Sequence, residues 1–482
     1  YLLLKKLFHL CQKLKKYSMK FDFGLVGLGV MGRNFILNVA ENGYSSLGLS
    51  SKIDSINLLK EEGKNYKVDG TQSDEDFINR LSIPRIIMLL VPAGKPVDSM
   101  IDRFLPYLHD GDLIIDGGNS HYDDTDRRFN YLRNKNINFI GTGVSGGSKG
   151  ARYGPSIMPG GDKHAYEIVR PIFESVAAKI KDEPCVSFLG NTSSGHYVKM
   201  IHNGIEYGIM QLISEVYNVL KNSLGKNNEE IYEIFEIWNN GILNSYLIEI
   251  TRDVFLAKDE ESGGYLIDII LDKAKQKGTG KWTSQSAMDF GASIPTIDAS
   301  VSMRIISSFK DLRIKGKKMY GNNKIKSSNI DVEDLEKSLI FSFIISFSQG
   351  LSQLKIASEE KSYNLNYVDI CKIWRGGCII RAKLLEDFMQ AFKLNPKLEN
   401  LLFDENISLL VKNSINSSRK VSIYCIENNI PVHALLSSIS YFDALKSSRL
   451  PMNLVQAQRD CFGEHTFERL DKPGNFHYNS WQ

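Results

Sequence analysis

Short apolar runs alternate with amphipathic stretches of helical length through the first part of the chain, from Phe21 to about Leu189. Phe23-Gly24-Leu25-Val26 predicts one strand and Arg85-Ile86-Ile87-Met88-Leu89-Leu90-Val91 another. Asp112-Leu113-Ile114-Ile115-Asp116 and Asn138-Phe139-Ile140 predict two more. Glycines or prolines punctuate most strand ends, and helix-length segments fill most gaps. Such alternation predicts a parallel sheet with helices on both faces. Beyond Gly195 the pattern changes. Residues 196–220, 229–237 and 337–357 carry Ile, Leu, Met and Ser at helical spacing, and strand signals become rare. A mainly helical unit of roughly 250 residues follows from that periodicity. From Leu450 the chain reads as irregular, broken by Pro451, Gly463, Pro473 and Gly474. It nevertheless carries Phe462, Phe467, Phe476, Tyr478 and Trp481, too many rings for a disordered tail. Those rings require burial, against the chain's own body or in a partner subunit.

Composition narrows the function classes. Of 482 residues 42% are apolar and 24% charged, ordinary for a globular chain with several cores. Fifty-nine Lys and Arg against 56 Asp and Glu leave +3, spread along the sequence. That balance argues against nucleic-acid binding through phosphate contacts. No uninterrupted apolar run approaches the ~20 residues of a membrane span, so no membrane role is expected. The six cysteines include no CxxC pair and the nine histidines no HExxH. They predict reduced thiols in a cytoplasmic protein and no protein-bound metal. Residues 1–18 mix Leu with Lys and lack a secretory apolar core. They read as an N-terminal extension before a start at Met19, with an amphipathic targeting segment as the other reading.

Gly27-Leu28-Gly29-Val30-Met31-Gly32 follows the first strand directly and opens a helix through 34–42. The first glycine allows a tight turn, the second lets backbone approach a pyrophosphate, and the third lets helix pack on strand. Free N–H groups at the helix start then hold phosphates. In this strand–turn–helix setting the motif predicts dinucleotide binding. After the second strand the sequence is Leu47-Gly48-Leu49-Ser50-Ser51-Lys52, and the nearest acid, Asp54, lies past the turn. Two hydroxyls and a cation suit a 2′-phosphate better than a diol, which favours NADP and leaves NAD as the alternative.

In Gly195-His196-Tyr197-Val198-Lys199-Met200-Ile201-His202-Asn203-Gly204-Ile205-Glu206-Tyr207, the polar residues Lys199, His202, Asn203 and Glu206 share one helix face. A polar stripe is usually the solvated side of a helix. Here apolar residues surround it, as in a helix buried on nearly all sides, where Lys, His and Glu are costly unless they line a site. Two other stretches offer anion contacts. Gly143-Val144-Ser145-Gly146-Gly147 follows the strand ending at Ile140, as either a flexible loop or a backbone concavity. Lys275-Gln276-Lys277-Gly278-Thr279-Gly280-Lys281-Trp282 is a basic, glycine-interrupted turn, either solvated or holding a phosphate.

From about Phe21 to the C-terminus the chain resembles the 6-phosphogluconate dehydrogenase family. The stretches that carry the resemblance, in order, include Ile114-Ile115-Asp116-Gly117-Gly118-Asn119-Ser120, Val144-Ser145-Gly146-Gly147 and Gly150-Ala151-Arg152-Tyr153-Gly154-Pro155-Ser156. They continue with the Lys199 helix, Gln276–Thr283, Trp374-Arg375-Gly376-Gly377-Cys378-Ile379-Ile380-Arg381 and Gln456-Ala457-Gln458-Arg459-Asp460-Cys461-Phe462-Gly463. The resemblance implies a Rossmann-type dinucleotide-binding domain over 19–195 and an all-helical substrate and dimerisation domain over 196–449. It implies a tail, 450–482, reaching into the other subunit of a homodimer. It further implies oxidative decarboxylation of 6-phosphogluconate in the pentose phosphate pathway, with NADP as hydride acceptor.

By the same resemblance, Lys199 looks like the general base and Glu206 the general acid. Asn119, Ser145, Gly146, Gly147, His202, Asn203, Tyr207, Lys277, Thr279 and Arg304 look like the substrate shell, with Arg459 and His465 supplied by the partner's tail. Gly27, Gly29, Val30, Met31, Gly32, Ser50, Ser51, Lys52, Val91 and Asn119 are expected on the cofactor. A neutral Lys199 requires a lowered pKa, which burial and cations such as Lys277 could supply. The chain departs from the family twice. Ser50-Ser51-Lys52 replaces the usual Asn-Arg-Thr that binds the 2′-phosphate, and Pro92-Ala93-Gly94 replaces Lys-Ala-Gly. Two other readings share parts of the pattern: a β-hydroxyacid dehydrogenase of the 3-hydroxyisobutyrate type, and a dinucleotide sensor without catalysis.

Overall fold

The computed structural model describes residues 20–321 and 329–481. The expected extension over 1–18 and the start at Met19 lie outside the described residues.

Seven strands form one sheet in the order β3-β2-β1-β4-β5-β6-β7. These are β1 (Phe23–Val26), β2 (Ser46–Leu49), β3 (Val68–Thr71), β4 (Ile86–Leu89), β5 (Leu113–Asp116), β6 (Asn138–Ser145) and β7 (Ser156–Gly161). Strands β1 to β6 are parallel, and helices cover both faces through separate apolar clusters, one holding Phe35, Ile115 and Phe173, the other Phe77, Phe104 and Ile114. This is the doubly wound order whose reversal point, between β1 and β4, places ligands at the strands' carboxyl ends. The expected parallel sheet forms from β1 to β6, and β7 adds an antiparallel edge strand beside β6. Only residues 146–155 link the two, too few for the dozen or so that a parallel crossover needs.

One correction concerns β6, which continues past Ile140 to Ser145. Glycines 141 and 143 look like strand breakers in isolation. Their cause is the helix Ser194–Asn222, which lies against them: a Cβ on Gly143 would sit 2.4 Å from the Lys199 Cβ. A Cβ on Gly195 would lie 2.3 Å from the carbonyl oxygens of both Gly141 and Met158, and one on Gly160 would lie 2.3 Å from Gly195 N. The helix therefore docks on the β6–β7 edge through a seam of bare backbone.

From Ser194 to Gly463 the regular elements among the described residues are helices. Ser194–Asn222 packs along Val332–Glu360, also 29 residues, at small-residue crossings where Gly208 meets Ser346 and Gly350 meets Ile205. Among the described residues, Val332–Glu360 is long and apolar enough on average to cross a membrane, although 83% of its apolar window is buried by the rest of the protein.

The tail is more ordered than its punctuation predicts. Pro451 is the N-cap of the helix Met452–Gly463, and Gly463 is its last residue before the left-handed C-cap Glu464, so the two bound a helix rather than break one. A short hairpin pairs Phe467–Glu468 with Asn475–Phe476. The fully buried Asp460 carboxylate gathers this segment, accepting from the Thr466 and Tyr478 N–H groups and Trp481 Nε1 and meeting His477 Nδ1 at 2.9 Å. The expected burial of the tail rings is incomplete within one chain, with Phe462 75% and Tyr478 51% exposed.

Candidate active site

The polar stripe lies inside the protein. Lys199 is 7% exposed and His202 fully buried, on a helix whose remaining faces carry Val198, Ile201, Ile205 and Ile209 in the core. Lys199 Nζ donates to Asn203 Oδ1 at 2.8 Å. His202 Nδ1 stands 3.0 Å from the same oxygen and Nε2 3.3 Å from Ser145 Oγ. Burial first, and then the Lys199 charge, hold the imidazole well below its ordinary pKa, so the ring is neutral. Because Asn203 offers a carbonyl oxygen, Nδ1 carries the proton and Nε2 accepts from Ser145. The edge of Trp374 closes the far side, ring centroids 5.9 Å apart.

The two ends of the stripe are pushed in opposite directions by one cause. Burial lowers the Lys199 pKa, opposed by Glu206 and Cys378. Burial raises the Glu206 pKa, opposed by Lys199 and Arg304. Burial thus shifts the amine toward its neutral form and the carboxyl toward its protonated form, the divergence that suits a base and an acid. The depression at Lys199 comes from burial. The Lys277 cation invoked from sequence is not among its causes, because that side chain lies exposed at the cleft mouth.

A cleft of about 480 Å³ opens over the stripe, lined by Asn119, Asn203, Glu206, Tyr207, Lys277, Thr279 and Arg304. The Arg304 guanidinium lies 3.4 Å over the Tyr207 ring and donates to the Lys275 carbonyl at 3.3 Å. Gly278, at φ +103°, turns the chain into the helix Thr279–Phe290, and a Cβ on Gly280 would sit 2.4 Å from the Tyr207 ring. Thr283 Oγ1 donates to the Met200 carbonyl, tying this helix to the stripe. Asn119 ends a turn that the buried Asp116 holds by accepting from Gly118 N and Ser120 Oγ.

The glycine turn has the geometry a pyrophosphate requires. Gly27, at φ +98°, has no room for a Cβ against the Leu90 carbonyl, and Gly32 has none against the Gly27 carbonyl. A Cβ on Gly29 would meet nothing within 4 Å, and Gly29 caps the helix Val30–Glu41 without a side-chain hydrogen bond. Backbone N–H groups at that end are thus free to hold an anion. Beside it, a smaller cleft of about 200 Å³ is lined by Gly27, Ser50, Ser51, Gln72, Val91, Met100 and Arg103.

Family models match the chain along both halves: the NAD binding domain of 6-phosphogluconate dehydrogenase over residues 22–190, and the 6-phosphogluconate dehydrogenase C-terminal domain over 195–481. The decarboxylating 6-phosphogluconate dehydrogenase of Lactococcus lactis subsp. lactis is 49% identical over 463 residues, covering 95% of this chain and 98% of that one. The chain belongs to the 6-phosphogluconate dehydrogenase family. The NADP(+)-dependent, decarboxylating 6-phosphogluconate dehydrogenase of Bacillus subtilis is 47% identical over 462 residues, with the same coverage of each chain. The Plasmodium falciparum 6-phosphogluconate dehydrogenase, solved alone, with NADP+ and with 6-phosphogluconate, superposes with a TM-score of 0.93 at 44% identity. That match covers 95% of this chain and 100% of the other.

Within this 6-phosphogluconate dehydrogenase fold, most residues singled out from sequence converge, and some do not. Lys199, His202, Asn203 and Ser145 form one hydrogen-bonded chain, and the remaining cleft residues stand before it. Gly146, at φ +111°, packs on the Gly377 carbonyl and turns the chain at the end of β6. Arg459 and His465 lie exposed on the tail, outside the cleft of their own chain. Lys52, expected on the cofactor, is the exposed N-cap of the helix Ile53–Glu62 and does not line the smaller cleft. The cation that does is Arg103, unmarked by any motif. Its only signal in sequence is its position one turn after Met100 on the helix Lys95–Phe104. Lys275, Gln276 and Trp282 also line the larger cleft, as the basic turn that contains them hinted. Among the described residues no cluster of His, Cys, Asp and Glu is placed to hold a metal ion.

Proposed function

We propose that the chain oxidatively decarboxylates 6-phospho-D-gluconate to D-ribulose 5-phosphate and CO2, the oxidative branch of the pentose phosphate pathway, with NADP+ as electron acceptor. The observation that carries this reading is the placement of buried Lys199 and half-buried Glu206 on one helix face beneath a cleft rimmed by Lys275, Lys277 and Arg304, where burial lowers the amine's pKa and raises the carboxyl's. NADP+, when bound, supplies the nicotinamide that takes up the hydride. Gly27, Gly29, Val30, Met31 and Gly32 would hold its pyrophosphate, Ser50 and Ser51 would take its adenosine ribose, and Val91 and Asn119 would bound the nicotinamide side.

Neutral Lys199 accepts the proton of the C3 hydroxyl as the hydride leaves C3. The product is a β-keto acid. The ammonium so formed donates to the new carbonyl oxygen and stabilises the enolate that develops as the carboxylate departs as CO2. Protonated Glu206 then delivers a proton to the carbon that bore the carboxylate, which becomes C1 of the pentulose. Asn203 and the Ser145–His202 pair orient the amine, and Lys277 and Arg304 face the substrate phosphate. An unphosphorylated hydroxy acid would leave those cations without a partner.

The tail reading belongs to the same proposal. Exposed Phe462, Leu450, Met452 and Leu454 give the tail an apolar surface to bury, which supports a homodimer in which Arg459 and His465 enter the other subunit's cleft. The domain limits proposed are 19–195, 196–449 and 450–482. A cytoplasmic setting is consistent with the free thiols at Cys185, Cys371, Cys378, Cys425 and Cys461.

The deciding experiment follows absorbance at the reduced-nicotinamide band with 6-phosphogluconate and either NADP+ or NAD+. Absence of reduction with both, from folded protein, refutes the activity. For the tail, Arg459→Ala should raise KM for 6-phosphogluconate with less change in kcat, and an unchanged KM removes the shared site.

A further inference from the structure

We propose that Arg103, on the helix Lys95–Phe104, supplies the cation that binds the 2′-phosphate of NADP+ in this chain, in place of the arginine missing from Ser50-Ser51-Lys52. The inference rests on the reading that NADP+ is the acceptor.

The end of β2 carries hydroxyls but no guanidinium. Lys52, the nearest cation in sequence, turns outward as a helix cap, and its N–H is bound by Ser50 Oγ at 3.2 Å. The cleft beyond Ser50 and Ser51 nevertheless holds one cation along its wall, Arg103, reached from the far side of the sheet's switch point. Arg103 is held in place. Its Nε and Nη2 donate to the two carboxylate oxygens of Asp74 at 2.8 and 2.7 Å, a bidentate fork that fixes the guanidinium plane. Among the described residues its Nη1 meets only the Met100 thioether, at 3.2 Å. A thioether is a weak acceptor, and Met100 itself lines the cleft. The group therefore keeps a hydrogen-bonding edge for an anion while Asp74 occupies the opposite edge.

The opposite wall is pinned as well. Gln72 Nε2 donates to the Ser51 carbonyl at 2.8 Å, so the serine turn is tethered to the segment that leads into Asp74. Ser50 Oγ, used as an acceptor by the Lys52 N–H, retains its own proton to donate. A phosphate monoester between the serine hydroxyls and the free Arg103 edge would receive donors from both walls. A ribose diol would leave the guanidinium edge unused, which is the physical basis for preferring NADP+ over NAD+.

The test is the dissociation constant of each dinucleotide, by titration calorimetry, for wild type, Arg103→Gln, Arg103→Lys and Lys52→Gln. Circular dichroism and 6-phosphogluconate affinity serve as controls for folding. Arg103→Gln should weaken NADP+ about tenfold or more, with NAD+ changed less than about twofold, and Arg103→Lys should recover part of the loss. The thermal shift given by 2′,5′-ADP should shrink in Arg103→Gln while that of 5′-AMP stays. If wild type prefers NADP+ and Arg103→Gln keeps that preference, or if Lys52→Gln loses it instead, the assignment to Arg103 is wrong while the cofactor reading stands. If wild type binds the two dinucleotides equally, both fall.

Discussion

Lys199 Nζ donates a 2.8 Å hydrogen bond to Asn203 Oδ1, one helical turn further on. A carbonyl oxygen can accept from an amine but cannot protonate it, so Asn203 aims the Lys199 amine without consuming its lone pair. Burial keeps that lone pair available by disfavouring the ammonium form.

Lys199→Met should therefore lower kcat by about 10²–10⁴-fold, the usual worth of a positioned base. NADP+ affinity, measured by calorimetry, should stay near wild type because the glycine turn is untouched. Turnover like that of wild type would remove the base assignment.

Glu206→Gln should spare the hydride step more than the last one. The expected signature is NADPH and CO2 formed in a first turnover while the pentulose product lags, read by quench-flow against product chromatography. Burial raises the Glu206 pKa, and in the proposed mechanism the acid form is the working one, so activity should decline as pH rises through that raised value. The glutamine variant should lack this alkaline decline.

The stripe is legible in sequence because helical period is local: Lys199, His202, Asn203 and Glu206 declare a shared face without reference to anything else. The glycine turn is legible for the same reason. The extension of β6 through Gly141 and Gly143 is not, since those glycines make sense only against Gly195 and Lys199, some fifty residues later. Nor is Arg103, whose meaning depends on Asp74 and Ser51 from two other βα units. In the tail, Pro451 and Gly463 look like breakers until the helix between them is seen.

Gly195→Ala tests the backbone seam. Its Cβ would fall 2.3 Å from two carbonyl oxygens that belong to rigid strands. The expected cost is about 3 kcal/mol or more, seen as a lower midpoint in denaturant, because neither strand can yield without breaking its ladder. A shift of a few tenths of a kcal/mol would mean that the helix sits further from the sheet.

Glu215 gives a pH-dependent stability. Its buried carboxylate accepts from the Ala434 and Leu435 N–H groups at the start of the helix His433–Leu445, and burial raises its pKa to about 7. The folded state thus holds the proton more tightly than the unfolded chain. The stabilisation is complete below the unfolded pKa near 4.5 and is lost as pH climbs to about 7, a change of about 3 kcal/mol. Glu215→Gln should flatten that slope in melting curves recorded between pH 4.5 and 8.

Because the helix that carries Lys199 is wedged main chain to main chain into the β6–β7 edge, the nucleotide-binding half meets the helical half through a seam of backbone. Rotating one half against the other would tear open contacts that possess no rotamers to absorb the strain. A clamshell rotation of the two halves would first have to part that seam.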